Sequence, residues 1–100
     1  MKHLPTEEME ALCQAVLSLQ TPGECCRFFE DVCTIKELHA ICQRLAVAKL
    51  LSAGKNYQEV SQQTGASSAT ICRVNKCLVY GDGGYRTVLE RLQEEAEKHE

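Results

Sequence analysis

The stretch YQEVSQQTGASSATICRVNKCLV, residues 57–79, contains two short helical patterns on either side of Gly65. The spacing predicts a helix over about 57–63, a turn, and a second helix from residue 67 or 68 to about 79. Because glycine adopts a positive φ without steric cost, Gly65 suits the tight connection between the two helices. This stretch decides the fold, since two short helices joined in this way must pack directly on each other.

Apolar residues occur where the two predicted helices would touch. The expected packing residues are Val60, Ala66, Ile71, Val74 and Leu78. Ser61, beside Val60, is small enough to allow close approach. A small-residue helix after a glycine turn is also what any pair of packed helices needs, so the pattern alone leaves its function open.

The opposite face of the second helix carries short polar side chains and two cations. These residues are Ser67, Ser68, Thr70, Arg73 and Lys76. Short side chains at a helix N-terminus allow close approach to a DNA groove, and the N-terminus itself favours a phosphate. Arg73 is able to donate a bidentate pair of hydrogen bonds to guanine, and Thr70 to contact a thymine methyl group. The pattern favours double-stranded DNA as a partner.

Charge is distributed unevenly along the chain. The whole sequence has a net charge of −3 and a pI of 5.6, which opposes DNA binding. Residues 44–76, however, carry five basic side chains against Glu59 alone, whereas residues 1–43 have a net charge of −4 and residues 77–100 of −3. Because phosphate neutralisation supplies much of the affinity for DNA, the net +4 of the central segment supports the DNA-binding interpretation.

Threonine followed three residues later by glutamate occurs before two further predicted helices, as Thr21 with Glu24 and Thr34 with Glu37. In such a pair the hydroxyl accepts a hydrogen bond from a free N–H of the first turn, and the glutamate reaches back. Helices are predicted over about 6–20, from 21 onward, over 35 to a stop at Gly54, and over about 85–98. The residues expected to face inward are Leu12, Ala15, Val16 and Leu19 of the first helix and Val88, Leu89, Leu92 and Ala96 of the last.

The helix that begins at Ile35 is apolar around nearly its whole circumference. Its apolar residues are Ile41, Cys42, Leu45, Ala46, Val47, Ala48, Leu50 and Leu51. A chain of 100 residues has few segments with which to cover such a helix. We therefore expect an all-α single domain, residues 1–100, that forms an intertwined homodimer in which a second chain supplies part of the cover.

Other functional classes find little support in the sequence. No apolar run approaches the roughly 20 residues of a membrane span, and no leader pattern is present, so a cytoplasmic protein is expected. The seven cysteines include no C-x₂-C pair, and the three histidines are scattered, so we expect reduced thiols packed as small apolar side chains, with no metal and no cofactor. No catalytic residues are identified, because GDGG at 81–84 is typical of a turn and His39 has no nucleophile spaced to it.

From about Phe28 to Leu92 the sequence resembles the Trp repressor family, and within it the TrpR-related YerC/YecD branch. The resemblance is carried by QRLAVAKLL at 43–51, TGASSATI at 64–71 and RVNKCLVYG at 73–81. It implies an all-helical, intertwined homodimer with one helix–turn–helix per subunit in a bacterial transcriptional regulator. The residues that would align with the operator-facing start of the recognition helix are Ser68, Ala69, Thr70, Cys72 and Arg73.

The same resemblance places Thr34, Arg44 and Arg73 on positions that contact the corepressor in the tryptophan-sensing repressor, where the two arginines flank the indole. Val74 stands where that repressor has glycine, and its branched side chain should crowd the ring. The linker after Gly54 is also one residue shorter. We therefore expect no tryptophan response, or control by a different small-molecule effector. For Arg44, an ion pair with Glu37 or another acidic neighbour is the alternative.

The sequence thus predicts a sequence-specific, repressor-like DNA-binding regulator, with half-sites about one helical turn apart. The alternative is a helical dimer that serves as a protein-interaction module, in which the helix–turn–helix is only a scaffold and the acidic ends bind a partner.

Overall fold

The computed structural model describes residues 6–98. This part of the chain forms six α-helices and no strand. The helices are α1 (Thr6–Leu17), α2 (Pro22–Val32), α3 (Ile35–Ser52), α4 (Tyr57–Thr64), α5 (Ser68–Tyr80) and α6 (Gly84–Lys98). The expectation of an all-α fold is therefore confirmed. No helix within residues 6–98 combines the length and the apolar character needed to cross a bilayer.

The chain divides into two compact units, one ending at Leu38 and the other beginning at His39. The first contains α1, α2 and the first turn of α3. The second contains the rest of α3 together with α4, α5 and α6, and includes the candidate DNA-contacting residues.

In the first unit, α1 is shorter than predicted and ends at Leu17 rather than near Gln20. The physical reason is local, because the Ser18 hydroxyl donates a hydrogen bond of 2.7 Å to the Ala15 carbonyl and competes with continuation of the helix. Of the four residues expected to face inward, Ala15, Val16 and Leu19 are half-buried. Leu12 is exposed.

Both predicted threonine–glutamate caps are formed, with one difference in detail. At α2, Thr21 Oγ1 accepts from Glu24 N at 3.1 Å, but the Glu24 carboxylate accepts from Gln20 N, one residue before the cap, at 2.8 Å. At α3, Thr34 Oγ1 accepts from Glu37 N at 3.1 Å, and Glu37 Oε1 accepts from Thr34 N at 2.8 Å. The second pair is a reciprocal capping box.

The capping box gives one testable consequence for acid stability. Accepting the Thr34 backbone and side-chain hydrogen bonds lowers the pKa of Glu37 below its usual 4.5, against a smaller opposing effect of desolvation. Because the folded-state pKa is depressed, the ionised carboxylate contributes stability above pH 4.5, and that contribution is lost as pH falls through the lower value. We expect Glu37→Gln to melt at a lower temperature than the parent protein at pH 7, with the difference shrinking toward pH 3.

Thermal unfolding followed by circular dichroism across this pH range measures the difference. Glu90→Gln is the matched control, because Glu90 is exposed on α6 and its side chain has no hydrogen bond within residues 6–98. A constant gap between Glu37→Gln and the parent at every pH would show that the cap is not the source of the effect.

In the second unit, α3 ends at Ser52 in a Schellman motif. Gly54 has a φ of +88° and donates from its N–H to the Leu51 carbonyl at 3.0 Å, while Lys55 N donates to the Leu50 carbonyl at 3.1 Å. The predicted stop at Gly54 is confirmed, because only a residue that tolerates this left-handed conformation closes the motif without strain.

The core of the second unit joins α3 to the helix–turn–helix segment. Its residues, each at most 3% exposed, are Val47, Ala48, Val60, Ala66, Ile71 and Val74. Four of these six lie in the stretch 57–79 and are packing residues expected from its pattern. Leu78, the fifth expected residue, is partly buried against the same cluster.

Several apolar side chains lie outside this core, contrary to expectation. In the last helix Leu89 is half-buried, but Val88 and Leu92 are 47% and 45% exposed, and Ala96 is exposed as well. The expectation that cysteines would be buried is wrong for this chain: all seven are free, Cys25 and Cys33 are half-buried, and the rest are exposed. The reason is size, because six short helices enclose only a small interior.

Candidate nucleic-acid interface

The turn that precedes α5 is set by the end of α4. Gly65 has a φ of +72°, and its N–H donates to the Ser61 carbonyl at 2.8 Å. A residue with a β-carbon would be strained at this φ, so the glycine that marked the turn in the sequence is required by the backbone. Asn56 and Glu59 form a capping box at the start of α4. Sequence reasoning overlooked this box, although the N-x-x-E spacing could have revealed it.

The start of α5 is capped by Ser67. Its Oγ accepts from Thr70 N at 3.2 Å, and its hydroxyl lies within hydrogen-bonding distance, 3.2 Å, of Thr70 Oγ1. These bonds place both hydroxyl residues at the helix N-terminus, where free N–H groups face outward. Ser67 and Thr70, both predicted to contact DNA, therefore also stabilise the N-terminus of α5.

The two faces of α5 differ sharply in burial. Ile71 and Val74 are each 1% exposed and belong to the core. The predicted DNA-contacting residues that are exposed are Ser67, Ser68, Ala69, Cys72, Arg73 and Lys76, and Thr70 is half-buried. At 100° per residue, Ala69, Arg73 and Lys76 lie on the side of the helix opposite the core. α5 and its N-cap Ser67 thus bring all seven predicted residues together, and six of them are exposed.

The cations of this face are free of acidic partners within the described chain. Neither Arg73 nor Lys76 forms an ion pair with any residue of 6–98. Lys49 and Lys55, from the same positive segment, are exposed, whereas Arg44 is half-buried. The two cations of α5 are therefore available to an anionic partner.

A small polar cluster adjoins the exposed face and was not anticipated. Tyr57, at the start of α4, faces Cys72 and Asn75 of α5, and the pKa of its hydroxyl is raised above 10.0. Desolvation is the largest cause, followed by the Cys72 thiol, while a hydrogen bond with Asn75 acts in the opposite direction. Tyr57 thus stays neutral at physiological pH. No sequence signal identified this contact, because it joins residues 15 and 18 positions apart on two helices.

The far end of α5 is capped by an arginine from α6. Arg86 donates from Nε to the Leu78 carbonyl at 3.0 Å and from its Nη2 to the Val79 carbonyl at 3.2 Å. A cation at this position satisfies carbonyls that the helix leaves unpaired and opposes the negative end of its dipole. Sequence reasoning also missed this role of Arg86.

The residues predicted to bind a small ligand lie in different surroundings. Thr34, in the first unit, is occupied by the capping box with Glu37. Arg44 lines an open groove of about 450 Å³ on the second unit, together with Ile41, Leu45, Gly84, Tyr85 and Val88. Arg73 is exposed on α5, and the side chain of its neighbour Val74 is in the core. Arg44 forms no ion pair with any residue of 6–98. The alternative prediction, an ion pair with Glu37 or another acidic neighbour, is therefore wrong within the described residues.

Within the described residues no group of histidine, cysteine and acidic side chains is placed to hold a metal ion.

Comparison with known proteins places this geometry in a family. The model of the Trp repressor protein family matches residues 7–93. The uncharacterized protein YerC of Bacillus subtilis (strain 168) is 46% identical over 88 residues, covering 88% of this chain and 85% of that protein.

Solved structures agree with the sequence comparison. The crystal structure of a TrpR like protein from Eubacterium eligens ATCC 27750 matches with a TM-score of 0.86 at 50% identity, covering 90% of this chain and 93% of that one. A crystal structure from Staphylococcus aureus gives a TM-score of 0.85 at 38% identity, with 89% of each chain covered. Trp repressor proteins are DNA-binding regulators and not enzymes. With a family match over residues 7–93 and relatives this similar along most of their length, the chain belongs to the Trp repressor protein family.

Proposed function

We propose that this protein is a sequence-specific DNA-binding transcriptional regulator and that α5 is its reading helix. The observation that carries the proposal is the division of α5 into a face fixed in the core by Ile71 and Val74 and an opposite, accessible face bearing Arg73 and Lys76. A helix held in this way presents its outer side chains to the major groove of DNA. Membership of the Trp repressor family supports the same function.

The roles of the two cations on α5 differ. Arg73, with its planar fork of donors, is suited to guanine O6 and N7, and we assign it to base reading. Lys76 lies three residues further on and is suited to a backbone phosphate, which contributes affinity without sequence preference. Ser67, Ser68 and the N–H groups at the start of α5 would contact phosphate, while Ala69, Thr70 and Cys72 line the surface that approaches the bases.

A homodimer is part of the proposal. Ile41 on α3, with Val88 and Leu92 on α6, exposes large apolar side chains along grooves of the second unit. A second copy that covered these side chains would remove apolar surface from water and would present two copies of α5. In such a dimer the two reading helices would enter successive major grooves, roughly 34 Å apart, and favour a near-palindromic site.

Binding to random-sequence duplex DNA tests the proposal most simply. We expect binding at about 50 mM salt that weakens steeply toward 200 mM, since each phosphate contact releases counterions. Fluorescence anisotropy of a labelled duplex measures the salt slope, and sedimentation velocity of the same sample measures the oligomeric state. Absence of binding at every salt concentration would favour the protein-interaction module instead, and a monomer would remove the paired-helix geometry.

Control by tryptophan is not expected. Val74, whose side chain is in the core, stands at the position where the resemblance to the tryptophan-sensing repressor implies a glycine and space for the indole ring. Isothermal titration of the protein with L-tryptophan should therefore give no micromolar binding. Micromolar binding of L-tryptophan would show that Val74 does not exclude this ligand. A different small-molecule effector stays within the proposal, with Arg44 and Arg73 of the second unit as the residues proposed to contact it.

A further inference from the structure

The turn that carries the reading helix is held by hydrogen bonds from its own side chains. The Thr64 hydroxyl donates to the Val60 carbonyl at 2.7 Å, and Thr64 Oγ1 accepts from Ala66 N at 3.1 Å. Across the turn, the Ser61 hydroxyl donates to the Ala66 carbonyl at 3.2 Å. These bonds fix the internal shape of the turn, but they do not fix how the turn lies against the rest of the second unit.

One side chain from outside residues 57–79 reaches this turn. Gln43, on α3, is half-buried and donates from Nε2 to the Thr64 carbonyl at 3.2 Å. Thr64 is the last residue of α4, and its carbonyl is one of those that a helix end leaves without an intrahelical partner. Gln43 therefore joins α3 to the point from which the chain turns into α5.

A small change in the angle of α5 at its N-terminus would displace Arg73 by enough to affect its hydrogen bonds. Ser67, the cap of α5, and Arg73 are six residues apart, which corresponds to about 9 Å along a helix. A tilt of roughly 15° at the cap would displace the backbone of Arg73 by roughly 2 Å over that length. Such a shift exceeds the tolerance of a bidentate hydrogen bond, whose donor–acceptor distances span only about 0.5 Å.

The apolar core does not supply the same control. Val47 and Ala48 of α3 pack in one cluster with Ile71 and Val74, and such contacts resist separation of the helices. Apolar contact is non-directional, however, whereas a hydrogen bond specifies both distance and angle. Arg86 makes directional bonds with α5, but at its opposite end, to the carbonyls of Leu78 and Val79.

We propose that Gln43 is a positioning residue for DNA reading: its hydrogen bond to the Thr64 carbonyl sets the orientation of α5 on α3 and so the approach of Arg73 to the bases. The inference rests on the proposed DNA-binding function. Gln43 is uncharged and half-buried, and its side chain donates its hydrogen bond to the turn. Its loss should therefore lower the preference for one sequence over another without altering attraction to phosphate.

The experiment compares Gln43→Met with Gln63→Met. The first keeps the length of the side chain but removes the donor. The second makes the same change at an exposed glutamine of α4 whose side chain has no hydrogen bond within residues 6–98. Affinity is measured for a duplex enriched by the parent protein from a randomised pool and for an unenriched random duplex of equal length. The ratio of the two affinities and the salt slope are the readouts.

We expect Gln43→Met to lower the ratio roughly three- to tenfold, the range that corresponds to one net hydrogen bond. The salt slope and the affinity for random DNA should stay unchanged, and Gln63→Met should keep the parent ratio. Gln43→Glu preserves length and polarity but donates no hydrogen bond when ionised, so it should lower the ratio as well. This variant replaces Gln43→Met in the experiment if the methionine variant does not fold.

If folded Gln43→Met or Gln43→Glu keeps the parent ratio of the two affinities, even with a lower melting temperature, Gln43 only stabilises the fold. That result would overturn this inference but not the proposed DNA-binding function. An equal fall for Gln63→Met would overturn it too, because the effect would then not depend on the bond to Thr64. If the parent protein binds neither duplex, the proposed function itself fails and the inference fails with it.

Discussion

Replacing Arg73 by alanine is expected to weaken binding to the preferred DNA sequence by about 1–3 kcal/mol, which corresponds to roughly a 5- to 150-fold loss of affinity. The physical reason is the loss of two parallel hydrogen bonds to one base, which no water molecule replaces with the same geometry. Arg73 is exposed and forms no ion pair within residues 6–98, so its removal should leave the folded protein unchanged. Competition binding with enriched and random duplexes measures the effect.

Lys76→Ala is the matched control for charge. It removes one cation from the same face of α5, so it should weaken binding to all sequences about equally and reduce the salt slope by about one. The two variants separate base reading from phosphate contact. If Arg73→Ala weakens binding to enriched and random duplexes by the same factor, Arg73 contacts only the DNA backbone and the assignment of base reading is wrong.

The second large effect is expected in stability. Ile71→Ala should lower the free energy of unfolding by about 2–5 kcal/mol, because it removes buried methyl and methylene groups and leaves a cavity. Ile71 is 1% exposed and belongs to the cluster that joins α3 to α5. In a small domain this is a large fraction of the total stability. Urea unfolding at equal protomer concentration measures the loss, since association changes the apparent stability of an oligomer.

Ile71→Val provides the graded comparison. It removes a single methylene group and should cost only about 0.5–1.5 kcal/mol at this site. The exposed neighbour Cys72, changed to alanine, should change stability little, because surface substitutions rarely exceed about 0.5 kcal/mol. A loss for Ile71→Ala no larger than that for the surface variant would mean that this residue does not anchor α5.

Sequence reasoning succeeded where the deciding interactions are local. The capping pair of Thr34 with Glu37, the left-handed Gly54 and the turn at Gly65 each depend on residues within five positions of one another. Helix periodicity then divided α5 correctly into the buried Ile71 and Val74 and an exposed face. These features follow from the geometry of the backbone, which is the same wherever the residues occur.

Sequence reasoning failed where burial depends on how much of the chain is available to cover a surface. The periodicity of α6 correctly gave an apolar stripe, yet Val88 and Leu92 remain nearly half exposed in this chain. Cysteine is often buried in proteins, but none of the seven is buried here. A sequence pattern identifies which face of a helix is apolar. The fraction of that face that is buried depends on the tertiary structure.

The candidate site shows the same division. Six of the seven predicted DNA-contacting residues lie on α5 and the seventh, Ser67, is its N-cap, because all seven fall within ten consecutive positions of the sequence. The contacts that position this helix were not predicted. Gln43 lies 21 residues from Thr64, and Arg86 reaches back to Leu78, and neither pairing has a local signature.

The sequence by itself therefore determined the order of the helices, the caps at Thr21, Thr34 and Gly54, and the outward face of α5, since each depends on neighbours along the chain and on helix geometry. Only the tertiary structure decided which side chains hold α5 in place and which apolar surfaces are left exposed. Those outcomes depend on distances between segments far apart in sequence, and the composition of a segment carries no information about which distant carbonyl a glutamine or an arginine will meet.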